Sequence, residues 1–243
     1  MTEASVNGIW RGVEAVALAA LVTAFVLLVE ADTVRATLRG GFADPDDALR
    51  LVEVRQWLAG QSWFDLSVPR LDPDHPVFMH WSRLVDLPVA AAIKLFALFV
   101  PEPRAERLTA VVLPALYLFG LALALQRLGR VLFDRDAARI LVLGLAFSGT
   151  ALVVFGPSRI GHHAPETLAL VLATGCMIAA FDPARARREG SAAGALVALA
   201  LAMSLETLPF LGALMATLVG LWIWRGEALR PALTFVAMGL GVS

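Results

Sequence analysis

Adjacent acids near the start of the chain are the first residues whose types could do chemistry. Asp46 and Asp47 follow an Asp-Pro pair and precede charged and apolar residues at helical spacing. Their carboxylates could bind a divalent cation or act as a general base. Acids are also common at a helix start for electrostatic reasons alone, because the helix dipole favours negative charge there. The two residues by themselves leave both interpretations open.

A second polar segment, residues 156–166, gathers different chemistry in a short stretch. Arg159 carries a planar guanidinium that matches phosphate oxygens. His162, His163 and Glu166 are residue types that commonly ligate metals. The alternative is an ordinary polar turn, with Glu166 placed in the first turn of a helix by the helix dipole. An arginine, a histidine pair and a glutamate so close together in so apolar a chain favour a binding site.

Two further polar groups are candidates of the same kind. Glu206 lies in an otherwise apolar run, and an acid inside a membrane segment is a functional candidate unless it simply reaches the interface. His80 and Arg83 lie close together beside Trp81. A tryptophan there is equally typical of an anchor at the membrane interface. The position of each group relative to the membrane therefore decides its role.

The composition indicates an integral membrane protein. Of the 243 residues, 58% are hydrophobic and only 17% are charged, and the mean hydropathy is +0.73, which is outside the usual composition of soluble proteins. The net charge of −1 argues against a nucleic acid partner. The single cysteine, Cys176, excludes a disulfide within one chain. We therefore expect the lipid bilayer to be the principal environment of the protein.

Hydrophobic periodicity predicts an all-α protein. A first crossing helix is expected at residues 8–29, which is long enough to span the hydrocarbon core. An amphipathic helix on the membrane surface is expected at 46–58, with Asp44 as its cap. A proline-rich extended connector follows, and then an apolar segment, 81–100, that could either cross or rest at the interface. Further crossings are expected at 108–125, 140–155, 168–181, 192–208 and 211–224, with a last run from residue 231.

The arginines decide the topology of segment 81–100, because short cytoplasmic loops carry an excess of basic residues. If the segment does not cross, nine arginines lie in short loops on one side and only Arg159 lies in those of the other. The nine are in loops 126–139, 182–191 and 225–230. We therefore predict a first outer loop at 30–107 with two interfacial helices, and all four histidines on the outer side. The run 231–243 is too short to span, so we expect the chain to be the N-terminal part of a longer protein.

This order of parts resembles the GT-C superfamily of membrane glycosyltransferases, most closely the catalytic subunit of oligosaccharyltransferase and its bacterial relatives. The likeness covers nearly the whole chain, although each motif is short. In place of the acids that oligosaccharyltransferases have in the second outer loop, this chain has Gly161, His162 and His163, and only Glu166 is acidic. The matching segments are DDA at 46–48, Arg55, WLAG at 57–60, MHWSRLVD at 79–86, SRIGHH at 158–163 and ETLP at 206–209.

The resemblance implies a single polytopic transmembrane helical bundle over residues 1–243 and the transfer of a sugar from a polyprenyl-phosphate or polyprenyl-diphosphate donor. The acceptor would be a glycan, a lipid or a protein. The active face would be the periplasmic or extracytoplasmic side of the cell inner membrane. The implied catalytic residues are Asp46 or Asp47, between which the resemblance does not choose, and Glu206. The donor-phosphate ligands would be Arg159, His80 and Arg83, and the ligands of a divalent cation, magnesium or manganese, would be Asp47, His162, His163 and Glu166.

A membrane transporter or flippase is the alternative function. In it, Glu206 and the histidines would form a path for protons or ions. Such proteins are built from inverted repeats, with broken helices near the middle of the membrane, and the sequence shows no sign of them. Their polar residues would also be spread through the depth of the bilayer, whereas the topology predicted above gathers them on one side. We therefore favour the glycosyltransferase.

Overall fold

The structure is a computed structural model that describes residues 3–241, and it is all-helical apart from one short antiparallel ribbon. The ribbon pairs β1 (Ser67–Val68) with β2 (Val77–Phe78) inside the proline-rich connector. The predicted all-α class is therefore confirmed. The helices are α1 (Glu3–Val29), α2 (Ala31–Leu38), α3 (Pro45–Leu58), α4 (Arg83–Ala97), α5 (Glu102–Leu132), α6 (Arg135–Leu145), α7 (Gly149–Phe155), α8 (His163–Ala179), α9 (Ala186–Met203), α10 (Leu208–Arg225), a short 3-10 helix (Gly226–Leu229) and α11 (Arg230–Gly241).

Three helical stretches within residues 3–241 are long and apolar enough to span a membrane, namely Gly12–Val29, Glu102–Leu132 and Leu208–Gly241. The third stretch reverses direction at Gly226, which has a φ of +66°. A Cβ on Gly190 would lie 2.8 Å from Phe235 Cβ, and one on Gly194 would lie 2.7 Å from the Leu240 nitrogen. Helix α11 therefore runs parallel to α9 and packs directly against it. Helix α10 connects the two in the chain and so runs in the opposite direction.

The predicted crossing at 140–155 is not one straight helix. It is divided into α6 and α7, which meet at an angle of 66°. The Ser148 hydroxyl accepts a hydrogen bond from the Ala151 N–H at 3.3 Å and begins a new helix at that point. Hydropathy responds to composition and not to caps, which is why the sequence predicted a single helix. The bent pair would count as a fourth span if it crosses as a unit.

The first outer loop predicted at residues 30–107 contains more helix than expected. Helix α2 was not predicted, whereas α3 begins where expected and is capped by Asp44, whose carboxylate accepts a hydrogen bond from the Asp46 N–H at 2.9 Å. Helix α4 has only 15 residues, about 22 Å at the α-helical rise, and the hydrocarbon core is about 30 Å thick. It packs on the first half of α5 through Val89 and Ile93. Its length fits the prediction that segment 81–100 does not cross.

The buried face of α3 carries charged side chains beside the apolar Leu51 and Val54, and the amphipathic pattern did not predict those charges. Arg50, Glu53 and Asp47 are each less than 5% exposed, whereas the apolar positions Leu49 and Val52, which the pattern assigned to a membrane-facing side, are only half-buried. Arg50 on α3 and Arg83 on α4 both donate to the Asp86 carboxylate, at 2.7 and 3.1 Å, and this joins the two helices. Ion pairs thus fill part of the interface between α3 and α4, and the position of α3 on the membrane surface stays a prediction.

Charged side chains collect at the two opposite ends of α8 and α9. At one end, Glu14 pairs with Arg135 and Arg139, and Arg127 pairs with Glu189. We call this the arginine end. The other end carries the acids that begin α3, the loop before α8 and the loop between α9 and α10, and we call it the histidine end. The motif at 46–47 and the motif at 158–163 therefore share an end, as the predicted topology requires.

Candidate functional site

A cavity of about 400 Å³ opens at the histidine end, within the volume range of small-ligand sites. Four separate parts of the chain build it: the start of α3, the end of α7, the loop into α8, and the loop between α9 and α10. The cavity therefore exists only in the folded chain. Its polar lining is Asp44, Asp47, Arg159, Gly161, His163, Glu166, Thr167, Glu206 and Thr207, and its apolar lining is Val153, Val154, Ala164 and Phe210.

The two acids at the start of α3 are held by the loop before α8. Asp47 is 4% exposed, and one carboxylate oxygen accepts a hydrogen bond from the Gly161 N–H at 2.7 Å. Arg159 forms an ion pair with Asp44 and approaches Asp47 at 3.4 Å. The guanidinium therefore lies between two carboxylates and neutralises part of their charge.

These two acids have pKa values shifted in opposite directions. The hydrogen bond from the Asp46 N–H, and then that from Arg159, lower the pKa of the Asp44 carboxyl. Burial raises the pKa of Asp47, although Gly161 and Arg159 oppose the shift. Neighbouring acids whose environments separate their pKa values are typical of acid–base sites. Asp47 is the carboxylate better suited to accept a proton, and Asp44 is the one suited to remain charged.

Ser158 fixes the loop that carries Arg159 and the histidines. It has a φ of +71°, an uncommon backbone conformation for a residue with a side chain, and it is fully buried. Its N–H donates to the Ala110 carbonyl of α5 at 2.8 Å, and its hydroxyl accepts from the Ala43 N–H at 3.3 Å. The loop is thus tied both to a long helix and to the segment that leads into α3. A strained residue that is held on two sides is typical of functional loops.

Two histidines and two glutamates converge beside these acids. His162, His163, Glu166 and Glu206 each offer one ligand atom, and these atoms all lie within 4.8 Å of one another. The Glu206 carboxylate contacts His162 Nε2 at 3.1 Å and His163 Nδ1 at 3.2 Å. Glu166 is 2% exposed, and its Oε1 has no hydrogen-bond partner among the described residues. A buried, unpartnered carboxylate oxygen next to two imidazoles fits a cation ligand.

The protonation of His162 and Glu206 suits a cation, whereas burial raises the pKa of Glu166 to about 7. Burial lowers the pKa of His162, although Glu206 opposes the shift, and neutral imidazole is the form that ligates metals. The hydrogen bond with His162 lowers the pKa of Glu206. Two nitrogen and two carboxylate donors suit manganese better than magnesium, which prefers oxygen ligands and retained water. The residues present therefore fit a divalent cation.

The structure separates the predicted site residues into three sets. Asp47, Arg159, His163, Glu166 and Glu206 line the cavity, and His162 joins them through Glu206. His80 lies in a neighbouring cavity that is also lined by His162 and Glu206. Asp47 was also predicted as a cation ligand, but it is not part of the group of four converging ligands, because Gly161 and Arg159 engage its oxygens.

Asp46 and Arg83 do not line the cavity. Asp46 is exposed on the first turn of α3. Arg83 is 4% exposed and donates to Asp86, to the Asp65 carbonyl and to the Gln61 side chain. Arg83 was predicted to bind the donor phosphate. Its guanidinium is instead buried in the joint between α3 and α4.

Asp44 is the site residue that sequence reasoning missed. It was predicted only as a helix cap, and it has that role, but its carboxylate also pairs with Arg159 and lines the cavity. The sequence sign that could have identified it is the run Asp-Pro-Asp-Asp, which contains three acids. With Asp44 included, four carboxylates face one arginine, so the cavity is acidic overall.

No protein-family model matches this chain, and comparisons with curated proteins and with solved structures also find no match. What the cavity can do is therefore inferred from its own residues. An acidic cavity with a held arginine, a buried proton acceptor and a four-ligand group can bind a cation together with a phosphate. It can also take a proton from a nucleophile next to that phosphate.

Proposed function

We propose that this protein is a membrane glycosyltransferase that transfers a sugar from a polyprenyl-phosphate or polyprenyl-diphosphate donor to an acceptor. The proposal rests on one observation: Asp47 lines the same cavity as His163, Glu166 and Glu206, three of the four converging ligands, although these residues are more than 100 positions from Asp47 in the chain. It also includes a multi-pass, GT-C-like bundle in a cell inner membrane, with the histidine end on the extracytoplasmic side. The nine arginines at the opposite loops support that orientation.

The apolar wall of the cavity supports a lipid-linked donor. Val153 and Phe210 are exposed and border the polar lining. A polyprenyl chain in the bilayer could lie along them while its phosphate reaches Arg159. The guanidinium offers several donors for phosphate oxygens in a fixed arrangement, and Asp44 orients it through their ion pair. The donor would thus be held at the depth where the sugar meets the aqueous side.

Asp47 is proposed as the proton acceptor. An acceptor hydroxyl or amide would attack the anomeric carbon of the sugar, the bond from that carbon to the phosphate oxygen would break, and the proton would pass to Asp47. A raised pKa suits this role, because a general base works best when its pKa is closer to the operating pH. His80, in the neighbouring cavity, would lie on the side from which acceptor or phosphate enters.

A divalent cation would be held by His162, His163, Glu166 and Glu206. When bound, it supplies positive charge that neutralises the leaving phosphate. The acidic lining supports a bound cation. It carries four carboxylates and one arginine, so without a cation its excess negative charge would repel a phosphate. Glu206 contacts both histidines and so orients their rings.

The test measures sugar transfer from a radiolabelled polyprenyl-phosphate hexose by membranes that contain the full-length protein. Asp47→Asn is expected to lower transfer by about 10²–10⁴-fold, the usual contribution of a general base. The matched control is Asp46→Asn, which removes the adjacent carboxylate that lies outside the cavity and is expected to retain transfer. Equal transfer by the Asp47 variant and wild type, at equal amounts of folded protein, would reject the assignment.

The same assay tests the cation. EDTA is expected to abolish transfer, and manganese is expected to restore it more effectively than magnesium because of the two imidazole ligands. Glu206→Gln is expected to require a higher manganese concentration. Full transfer in EDTA would show that the four-ligand group does not hold a required cation.

One observation favours a transporter or flippase as a second candidate. The 66° bend between α6 and α7 is a broken helix of the kind that lines transporter sites. The break borders the apolar wall of the cavity, since Val153 and Val154 of α7 line it. Movement of a labelled polyprenyl-phosphate sugar across proteoliposomes, without transfer to any acceptor, would favour this alternative.

A further inference from the structure

A second cavity, of about 660 Å³, lies at the arginine end. Helices α1, α5, α8 and the start of α9 enclose it. Its basic lining is Arg127, Arg130, Arg185 and Arg188. The only acid in the lining is Glu189, so the described lining has an excess of positive charge. A cavity with this charge attracts an anion.

Glu189 supplies one negative charge against four arginines, and its closest ion pair is with Arg127. It is 7% exposed and pairs with Arg127, whose guanidinium also contacts Cys176 Sγ at 3.0 Å. Arg188 reaches the same carboxylate only at 3.6 Å, and its side chain is 90% exposed. Arg185 pairs with Asp182, an acid outside the lining. Arg127 is therefore a fixed part of the wall, whereas the side chains of Arg185 and Arg188 are 63% and 90% exposed.

A buried amide provides an independent sign of a ligand. Gln126 lines the cavity and is 2% exposed, yet neither its Nε2 nor its Oε1 has a hydrogen-bond partner among the described residues. A buried polar group without a partner is unfavourable, and native proteins generally satisfy such groups. An amide N–H facing an arginine-lined space can donate to a phosphate oxygen. The ligand would thus satisfy Gln126 and the arginines together.

The remaining wall is apolar and comes from helices predicted to cross the membrane. Ala15 on α1, Leu123 and Val131 on α5, and Ala179 on α8 complete the lining. Basic pockets between membrane helices on the cytoplasmic side are the usual sites for anionic lipid headgroups. A headgroup in this cavity would place its phosphate among the arginines and its acyl chains beside the apolar wall.

We propose that the arginine-end cavity binds a phosphate group, supplied by the headgroup of an anionic phospholipid. This site is separate from the histidine-end cavity and does not depend on the proposed transfer reaction, because α8 and α9 lie between the two. A soluble phosphate compound has the same chemistry and is distinguished by the test.

The test measures binding of dihexanoyl phosphatidylglycerol, dihexanoyl phosphatidylcholine and inorganic phosphate to the purified full-length protein in neutral detergent. Phosphatidylglycerol is expected to bind and phosphatidylcholine to bind much more weakly. The double variant Arg185→Gln, Arg188→Gln is expected to bind phosphatidylglycerol about 30-fold more weakly, from the contribution of each arginine near a membrane surface. The matched control, Arg225→Gln with Arg230→Gln, removes two arginines of the same end that do not line the cavity, and is expected to bind normally.

Gln126→Leu provides a second measurement that does not change charge. It is expected to weaken phosphatidylglycerol binding while leaving the unfolding temperature without lipid unchanged or higher, since leucine removes an unpartnered amide. Equal binding of inorganic phosphate and phosphatidylglycerol, both weakened by the arginine variant, would support the phosphate site and identify a soluble ligand. Phosphatidylglycerol binding that neither the arginine variant nor Gln126→Leu weakens would overturn the proposal.

Discussion

At the scale of single residues, burial and not sequence position separates the acids of this chain by role. Asp46 and Asp47 are adjacent, but only Asp47 turns inward and meets the loop before α8. Asp44 does two things at once, since it caps α3 and holds Arg159. Glu53 lies on the same helix and is also buried, but it has no hydrogen-bond partner for either carboxylate oxygen among the described residues.

Glu53 is expected to make stability depend on pH. Burial, and then the nearby Asp86 carboxylate, raise the pKa of Glu53 to about 7, from an ordinary value of 4.5. Between these values the folded protein binds the proton more tightly than the unfolded chain, so stability is lost as pH rises through this range. Glu53→Gln removes the group that becomes charged as the pH rises. The change in unfolding free energy caused by this substitution is expected to be roughly 1–3 kcal/mol more favourable at pH 8 than at pH 5.

The measurement is the unfolding midpoint in detergent at several pH values for wild type and Glu53→Gln. Glu102→Gln changes an exposed acid and serves as the control, with no pH-dependent difference expected. Parallel pH curves for wild type and Glu53→Gln would show that Glu53 is not protonated in the folded protein near neutral pH.

At the scale of elements, the joint between α3 and α4 positions the site. Arg50 and Arg83 share the Asp86 carboxylate, and Arg50 also lies over the Trp81 ring, with 4.7 Å between its Cζ and the ring centroid. Apolar packing of α3 and α4 against α5, through Leu51, Val54 and Ile93, completes the joint. Asp47 reaches the cavity because this joint fixes the helix on which it lies.

Breaking this joint is expected to be costly. Asp86→Asn leaves two buried arginines without their carboxylate, and loss of one partner of a buried ion pair costs about 3–5 kcal/mol. Asp32→Asn breaks an exposed pair with Arg35, whose two side chains are 65% and 99% exposed, and is expected to cost less than about 1 kcal/mol. Thermal unfolding of both variants measures the contrast. Similar losses for the two would mean that the α3–α4 joint is not a buried ion-pair contact.

At the scale of the whole molecule, the polar chemistry is divided between the two ends of the helices. The histidine end carries the acidic cavity, and the arginine end carries the basic one. Three apolar helical stretches within residues 3–241 are compatible with a membrane protein. Val22, Leu118, Leu121 and Val142 belong to a buried apolar core cluster.

Labelling of single cysteines is expected to reveal this division. With Cys176 replaced by alanine, Asp46→Cys and His163→Cys should react with a membrane-impermeant maleimide from one side of sealed vesicles, because both positions are exposed at the histidine end. Arg188→Cys should react only from the opposite side, because it lies at the arginine end. Reaction of positions 46 and 163 from opposite sides would contradict both the topology and the shared cavity.

Much of this organisation could be predicted from local pattern. The start of α3, its cap at Asp44 and the extended connector follow from turn and capping residues, which act over a few positions. The bend between α6 and α7 and the additional helix α2 could not be predicted by hydropathy, because composition carries no information on where an apolar run is interrupted. The charged face of α3 was also missed, since its ion pair to α4 joins residues 36 positions apart.

The sequence alone determined that the chain is apolar and helical, and that its four histidines and nine of its arginines fall in separate loops, because these are properties of composition and spacing. Only the tertiary structure decided that Asp47 and not Asp46 faces the cavity, that Arg83 belongs to a buried joint, and that Glu206 meets the histidine pair. The physical reason is that each of these contacts joins residues distant in the chain. Their geometry is fixed by how the helices pack, which no local pattern records.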